Sequence, residues 1–219
     1  MTNNLFFSVL IVVMTVFDSV SQVWTKYTPD IESVENIQYL EIKGIRNINF
    51  PDLTVFESLK GLYINGVYGE IENTINLESL KKLSNLKVVG VDFKSPNDIF
   101  LQISKLKALD TLYLSTINID TLIPQELLNL KMLTYLKLEL ISTPLNKTIN
   151  FELISNLKSL EYLDIQGNFL NTFEGDFNMF IDHPTIRVIR IDGNCLDKSY
   201  LKMLINKCST IQIINEINC

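Results

Sequence analysis

A chain of 219 residues in which 47% are hydrophobic is long enough to bury a sizeable core and too apolar to remain disordered. The formal net charge of -6 and the lack of any basic run leave no electrostatic footprint for a polyanion, so nucleic acid is excluded as an expected partner. Lysine pairs such as Lys81 with Lys82, or Lys105 with Lys107, read as solvated faces of connecting segments.

Taken in order, the chain opens on an apolar run from Leu5 to Phe17, broken only by Ser8 and Thr15. It is shorter than the roughly 20 residues that cross a bilayer. Ser19-Val20-Ser21 follows as a small-x-small pattern, so residues 1–21 are read as a secretory signal peptide cleaved after Ser21. A retained membrane anchor is the alternative. A buried first strand is a third reading, against which stands the run's lack of the spacing seen downstream. Residues 22–36 are then expected to cap the N-terminal end. Val23 and Trp24 would cover the open edge, and a helix would start at Thr28-Pro29-Asp30 and turn Ile31 and Val34 inward.

From residue 37 a pattern takes over, with apolar residues at the first, fourth, sixth and ninth places. It is fullest in Leu109-x-x-Leu112-x-Leu114-x-x-Ile117 and restarts at Leu133-x-x-Leu136-x-Leu138-x-x-Ile141. Copies stand at Ile37-x-x-Leu40-x-Ile42, Leu59-x-x-Leu62-x-Ile64, Leu86-x-x-Val89-x-Val91, Leu160-x-x-Leu163-x-Ile165 and Ile186-x-x-Ile189-x-Ile191, with a degenerate one at Ile211-x-x-Ile214. A strand buries alternate residues, so the fourth and sixth places enter a core while the third, fifth and seventh face out. The interval of about 22 to 27 residues, with units unable to bury their own apolar faces, resembles that of leucine-rich-repeat proteins of a divergent, extracellular type. The resemblance implies an α/β fold: a right-handed solenoid with a parallel concave sheet of about seven or eight strands and short helical or 3₁₀ convex legs. Residues 37–210 would hold about seven units, and residues 211–219 would form a C-terminal cap with the degenerate copy.

The legs returning from each strand carry apolar residues every third position, as in Leu77, Leu80, Leu83 and Leu86, in Leu127, Leu130 and Leu133, and in Phe151, Ile154, Leu157 and Leu160. That spacing suits short helical or 3₁₀ segments. Ser95-Pro96-Asn97-Asp98 predicts a helix from about Pro96 to Leu106, capped by Ser95 and burying Ile99, Phe100, Ile103 and Leu106. Ile123-Pro124 before Leu127 resembles the return leg of plant-type extracellular repeats. Asparagine, which satisfies backbone groups at the ninth place of such repeats, occurs as Asn168 and Asn194, but Ile45, Val67, Ile117 and Ile141 stand there in other units.

All three cysteines lie in the last 25 residues. Cys195 and Cys219 hold nearly equivalent places in adjacent coils, about 5 Å apart at strand spacing, which fits a Cys195–Cys219 disulfide pinning the last coil. Cys208–Cys219 is the competing pairing, and three free thiols is the expectation for a cytosolic chain. His183 is the only histidine, and there is no Cys-x-x-Cys and no phosphate-binding glycine loop. No metal site, no cofactor and no enzymatic activity are therefore expected. Asn146-Lys147-Thr148 is the one glycosylation sequon, usable on a secreted chain.

Function is expected on the concave face. The third places are Tyr39, Gly61, Val88, Thr111, Tyr135, Tyr162 and Val188; the fifth are Glu41, Tyr63, Gly90, Tyr113, Lys137, Asp164 and Arg190. The seventh adds Lys43, Asn65, Asp92, Ser115, Glu139, Gln166 and Asp192. Five of the eight tyrosines fall on this face, and tyrosine supplies broad contact area at small rotamer cost. The expected ligand-contacting set is Tyr39, Tyr63, Tyr113, Tyr135, Tyr162, Lys137, Asp164 and Arg190. The function implied is a secreted binding module for a protein or glycan ligand. The alternative is a membrane-anchored or intracellular scaffold that regulates a partner protein and touches the membrane only if the N-terminal run is retained.

Overall fold

The computed structural model describes residues 11–15, 37–43, 53–71, 76–93, 95–117, 124–141, 148–170, 172–174, 183–207 and 211–215. The expected N-terminal cap, Asn146, Cys208 and Cys219 fall outside these residues.

One parallel sheet organises the chain. Its strands are β1 (Ile11–Thr15), β2 (Tyr39–Lys43), β3 (Gly61–Ile71), β4 (Asn85–Phe93), β5 (Thr111–Ser115) and β6 (Tyr135–Glu139). After a short β7 (Thr148–Asn150) come β8 (Tyr162–Asp164), β9 (Thr172–Glu174), β10 (Val188–Arg190) and β11 (Gln212–Ile214). Nine of them follow one another across the sheet in chain order, while β7 and β9 pair separately as a two-stranded parallel ribbon. Eight strands of the large sheet lie from residue 39 onward, as expected. The ninth is β1, which pairs in register with β2, Ile11 opposite Tyr39 and Thr15 opposite Lys43.

The pattern's fourth and sixth places line up from strand to strand. Leu40, Leu62, Leu86, Leu112, Leu136, Leu163 and Ile189 form one row, and all are buried. Ile42, Ile64, Val88, Leu114 and Leu138 form the next. Leu112 and Leu136 are fully enclosed, as befits positions stacked between neighbours on both sides.

One unit is read differently by the structure. Val88 lies opposite Ile64 and Leu114, and Leu86 opposite Leu62 and Leu112. The unit's first place is therefore Leu83, not Leu86, and the outward residues of β4 are Asn85, Lys87 and Val89 rather than Val88, Gly90 and Asp92. The leucine run at 77, 80, 83 and 86 continues the return-leg period into the strand, so spacing alone admits both alignments. Lateral pairing admits only one.

Leucines recur every third residue because the return legs close by bonds to the residue three before. The N–H of Leu80 donates to Leu77, that of Leu83 to Leu80, that of Leu130 to Leu127 and that of Leu160 to Leu157. The leg at Gln125–Asn129 is itself a 3₁₀ segment and that at Phe151–Ser155 a short helix, α2. Helix α1 (Pro96–Ile103) buries Ile99, Phe100 and Ile103, and Leu106 is buried just beyond it. Ser95 stands at its N-cap without a side-chain capping bond; its carbonyl accepts from the Asp98 N–H instead. A third helix, α3 (Lys198–Lys207), covers the last coil with Leu201 and Leu204.

The turn that follows each strand has a constant feature. Gly66, Gly90, Thr116, Leu140, Gly167 and Gly193 occupy the eighth place of six successive units, and every one has φ between 50 and 67°. Glycine is unstrained there, whereas an L side chain costs about 1–2 kcal/mol. Thr116 and Leu140 bear that cost in two adjacent units.

Candidate binding face

The open face of the sheet is built from the residues that point away from the leucine rows. Opposite one another in consecutive strands stand Glu41, Tyr63, Lys87, Tyr113, Lys137, Asp164 and Arg190. Tyrosine and lysine thus alternate over four strands. The Lys87 ammonium lies 4.5 Å from the centre of the Tyr63 ring and 4.7 Å from that of Tyr113. Lys137 approaches Tyr113 from the other side, at 4.9 Å. A cation over a ring face is attracted by the ring's quadrupole, worth about 0.5–1 kcal/mol at sites open to water.

Tyr135 and Tyr162 stack, their ring centroids 4.8 Å apart at 11°. Tyr39 lies over Gly61 of the next strand, so close that a Cβ on Gly61 would sit 2.5 Å from the Tyr39 ring. Gly61 therefore makes room for an aromatic side chain laid flat on the sheet, and Tyr39 remains 38% exposed. Tyr63, Tyr113, Tyr135 and Tyr162 are half-buried.

Beyond Tyr113 the face becomes an ionic network. Glu139 accepts a hydrogen bond from the Tyr113 hydroxyl at 2.6 Å and another from Gln166 at 2.7 Å, and pairs with Lys137 at 3.1 Å. Asp164 pairs with Lys137 at 3.5 Å and accepts from the Gln166 N–H at 3.2 Å. Arg190 pairs with Asp192.

The titration of these groups follows their surroundings. Burial alone would raise the Glu139 carboxyl, but bonds from Tyr113 and Lys137 together with the lysine's charge hold it below its ordinary value. Asp164, with its side chain 2% exposed, is raised by burial, an effect its donors and neighbouring cations only partly offset. Burial would lower the Lys137 ammonium, yet its bond to Glu139 and the charges of Asp164 and Glu139 raise it. The Tyr113 and Tyr135 phenols are both raised, first by burial and then by Glu139 and Asp164 respectively.

Sequence reasoning placed Tyr39, Tyr63, Tyr113, Tyr135, Tyr162, Lys137, Asp164 and Arg190 on one face, and the structure brings them together there. Asp164 differs from the rest because its carboxylate is covered and serves to hold Lys137. Lys87 was missed, since the shifted register put Gly90 in its place. Spacing does not reveal it: Leu59 to Leu83 is 24 residues and Leu83 to Leu109 is 26, against 27 and 23 when Leu86 is taken first, and both sets lie within the 22 to 27 residues of the other units.

Below this end of the face, two asparagines tie coils together. Asn168 donates to the carbonyls of Leu138 and Ile165 and accepts from the Ile141 N–H. Asn194 donates to Ile165 and Ile191 and accepts from Asn168 and Leu170. His183 is buried, its Nδ1 accepting from the N–H groups of Thr185 and Ile186; burial pushes its imidazole below the ordinary value. It is a structural residue of the leg before β10.

Among the described residues no group of three or more His, Cys, Asp or Glu side chains is placed to hold a metal, and no helix is long and apolar enough to cross a membrane.

The sequence matches no family model and no curated protein sequence. Solved structures do match. That of an internalin, inlF, from Listeria monocytogenes agrees with a TM-score of 0.57 at 16% identity, covering 84% of this chain and 50% of that one. The fold is a leucine-rich-repeat solenoid. A leucine-rich-repeat protein of Leptospira interrogans agrees at 0.60 with 23% identity over 82% of this chain and 44% of its own. Internalin C2 from Listeria monocytogenes agrees at 0.57 with 18% identity over 85% and 75%. The solenoid described here spans half or less of the first two chains' length. Its large sheet is the concave side, where strands in such stacks display their outward residues.

Proposed function

We propose that this solenoid is a secreted, non-enzymatic recognition module that binds a protein ligand on its concave face. The observation that carries this reading is the alternating row Tyr63, Lys87, Tyr113, Lys137. Rigid, half-buried aromatic groups and their cations are preset side by side, so little side-chain freedom is lost when a partner covers them. A neutral glycan stacking on Tyr135 and Tyr162 is the other ligand that such a face accommodates. Secretion is supported by the Leu5 to Phe17 run with Ser19-Val20-Ser21, and a disulfide at Cys195 would persist only outside the reducing cytosol. Pairing of Cys195 with Cys219 and a glycan on Asn146 belong to the same proposal.

Affinity capture of a partner with the purified chain tests the binding site, against a variant carrying Tyr63→Ala, Tyr113→Ala and Tyr135→Ala. Capture should be lost in the variant; undiminished capture moves the site off this face.

A second reading rests on β1. Ile11–Thr15 extends the sheet in register, which favours retention of the N-terminal segment as an edge strand or anchor. Sequencing the N-terminus of the mature chain separates the two. Gln22 supports cleavage after Ser21, and Met1 supports retention.

A further inference from the structure

The cations of the concave face are not equivalent. Lys137 is neutralised by Glu139 and Asp164, and Arg190 by Asp192. Lys87, directly opposite Tyr63 and Tyr113, has no carboxylate within ion-pair distance among the described residues; only the two ring faces hold it. Ring faces place an ammonium without satisfying its charge, because a quadrupole attracts a cation far less than a carboxylate does. Resting on the concave-face reading above, we infer that Lys87 is the anchor for one acidic side chain of an extended peptide segment, seated between the Tyr63 and Tyr113 rings.

The charges around it choose the source of that acid. A sulfated polysaccharide or another polyanion needs several free cations at regular spacing. Here the next cation along the row is already paired, and Glu139, Asp164 and Asp192 stand beyond it on a chain of net charge -6. A polyanion would meet one attractive site followed by repulsion. A peptide with a single acidic residue, flanked by neutral or basic ones on the side that faces β6 to β10, meets complementary charge throughout. The two rings then cover the methylenes of the acidic side chain and shield its pairing from water.

The test is selection of a random dodecapeptide phage library on the purified chain, repeated on Lys87→Glu, Lys87→Met and Tyr113→Ala, each shown by circular dichroism to be folded at the temperature of the selection. The parent should enrich peptides with one Asp or Glu at a fixed position. Lys87→Met should weaken those peptides about tenfold, equivalent to about 1.4 kcal/mol, and Lys87→Glu should replace the acid with Lys or Arg. An unchanged consensus on Lys87→Glu, among peptides still lost on Tyr113→Ala, overturns the inference and leaves the concave-face reading standing. Absence of any peptide that depends on Tyr113 overturns that reading and the inference with it. Lys87-dependent retention on a heparin column at physiological salt overturns the choice of a peptide.

Discussion

The two ends of the concave face solve the same geometric problem differently. From β3 to β5 the outward row is Tyr63, Lys87 and Tyr113, held by rings over a cation that has no ion pair among the described residues. From β6 to β10 it is Lys137, Asp164 and Arg190, tied to Glu139, Gln166 and Asp192 by bonds within the chain. Beneath the second region lies the asparagine pair at Asn168 and Asn194; in the turn after β5 the corresponding residue is Ile117. Polar groups that satisfy one another make a rigid support, whereas a lysine held only by ring faces keeps its charge available. One face is thus divided into a part whose charges are paired within the chain and a part whose cation rests on ring faces.

The largest difference between the two regions is expected at the asparagines. Asn194→Ala removes a partner from four buried backbone groups, of which the Ile165 carbonyl keeps the Asn168 amide; the other three cost about 1–3 kcal/mol each if left unsatisfied, so a loss of about 3 kcal/mol or more is expected. Hydrogen exchange should show β8 and β10 deprotected first, with β3 to β5 retained. Equal deprotection of both regions would mean that they are one cooperative unit.

Leu112→Ala, at the junction of the two regions, should cost about 2–5 kcal/mol through a cavity that stacked neighbours cannot close. Urea denaturation measures it, and an unchanged midpoint would argue against a cavity at that position. A smaller effect belongs to the link between the regions, where the Tyr113 hydroxyl donates to Glu139. Tyr113→Phe should lose about 1.5–3 kcal/mol, as for a hydrogen bond to a charged group, less what exposure to solvent returns. A double-mutant cycle with Glu139→Gln isolates that coupling, and a coupling near zero would leave the regions independent.

Leu140→Gly should raise stability by about 0.5–1 kcal/mol. It removes a left-handed strained residue whose side chain is 48% exposed, at an eighth place that four other units fill with glycine. A lowered urea midpoint would show instead that the Leu140 contact over Gly167 outweighs the strain.

The smallest effect is a pH slope confined to the second region. His183 titrates below its ordinary value when folded, so the unfolded chain binds more protons and stability rises with pH across that range. Its contribution is complete above pH of about 6.5, the ordinary value for histidine, and is lost as pH falls toward the folded value. Glu139, lowered in the same sense, adds a loss below its ordinary carboxylate range, and Asp164, raised, opposes it. Urea midpoints between pH 7 and 5 should fall for the parent and flatten for His183→Asn.

The stack of coils, its buried leucine rows, helix α1 and the cluster of tyrosines on one face were legible because each repeats a period set by backbone geometry. The strand period of two and the 3₁₀ period of three mark which residues turn inward wherever the two are separable. They are not separable at Leu83 to Val91, where both periods fit, and the misplaced register concealed Lys87. The ribbon of β7 and β9 was missed because three-residue strands carry no period. The cap bond expected of Ser95 did not form, since the Asp98 N–H, from which its hydroxyl would accept, donates to its backbone carbonyl instead.

What the sequence determined by itself is which side chains must leave water, because burial is dictated by hydrophobicity at fixed intervals along one chain. Which outward side chains meet was decided only by the tertiary structure. Contact between Lys87 and the rings of Tyr63 and Tyr113 joins residues about 24 and 26 positions away through lateral strand pairing, and no interval within a single repeat encodes that register.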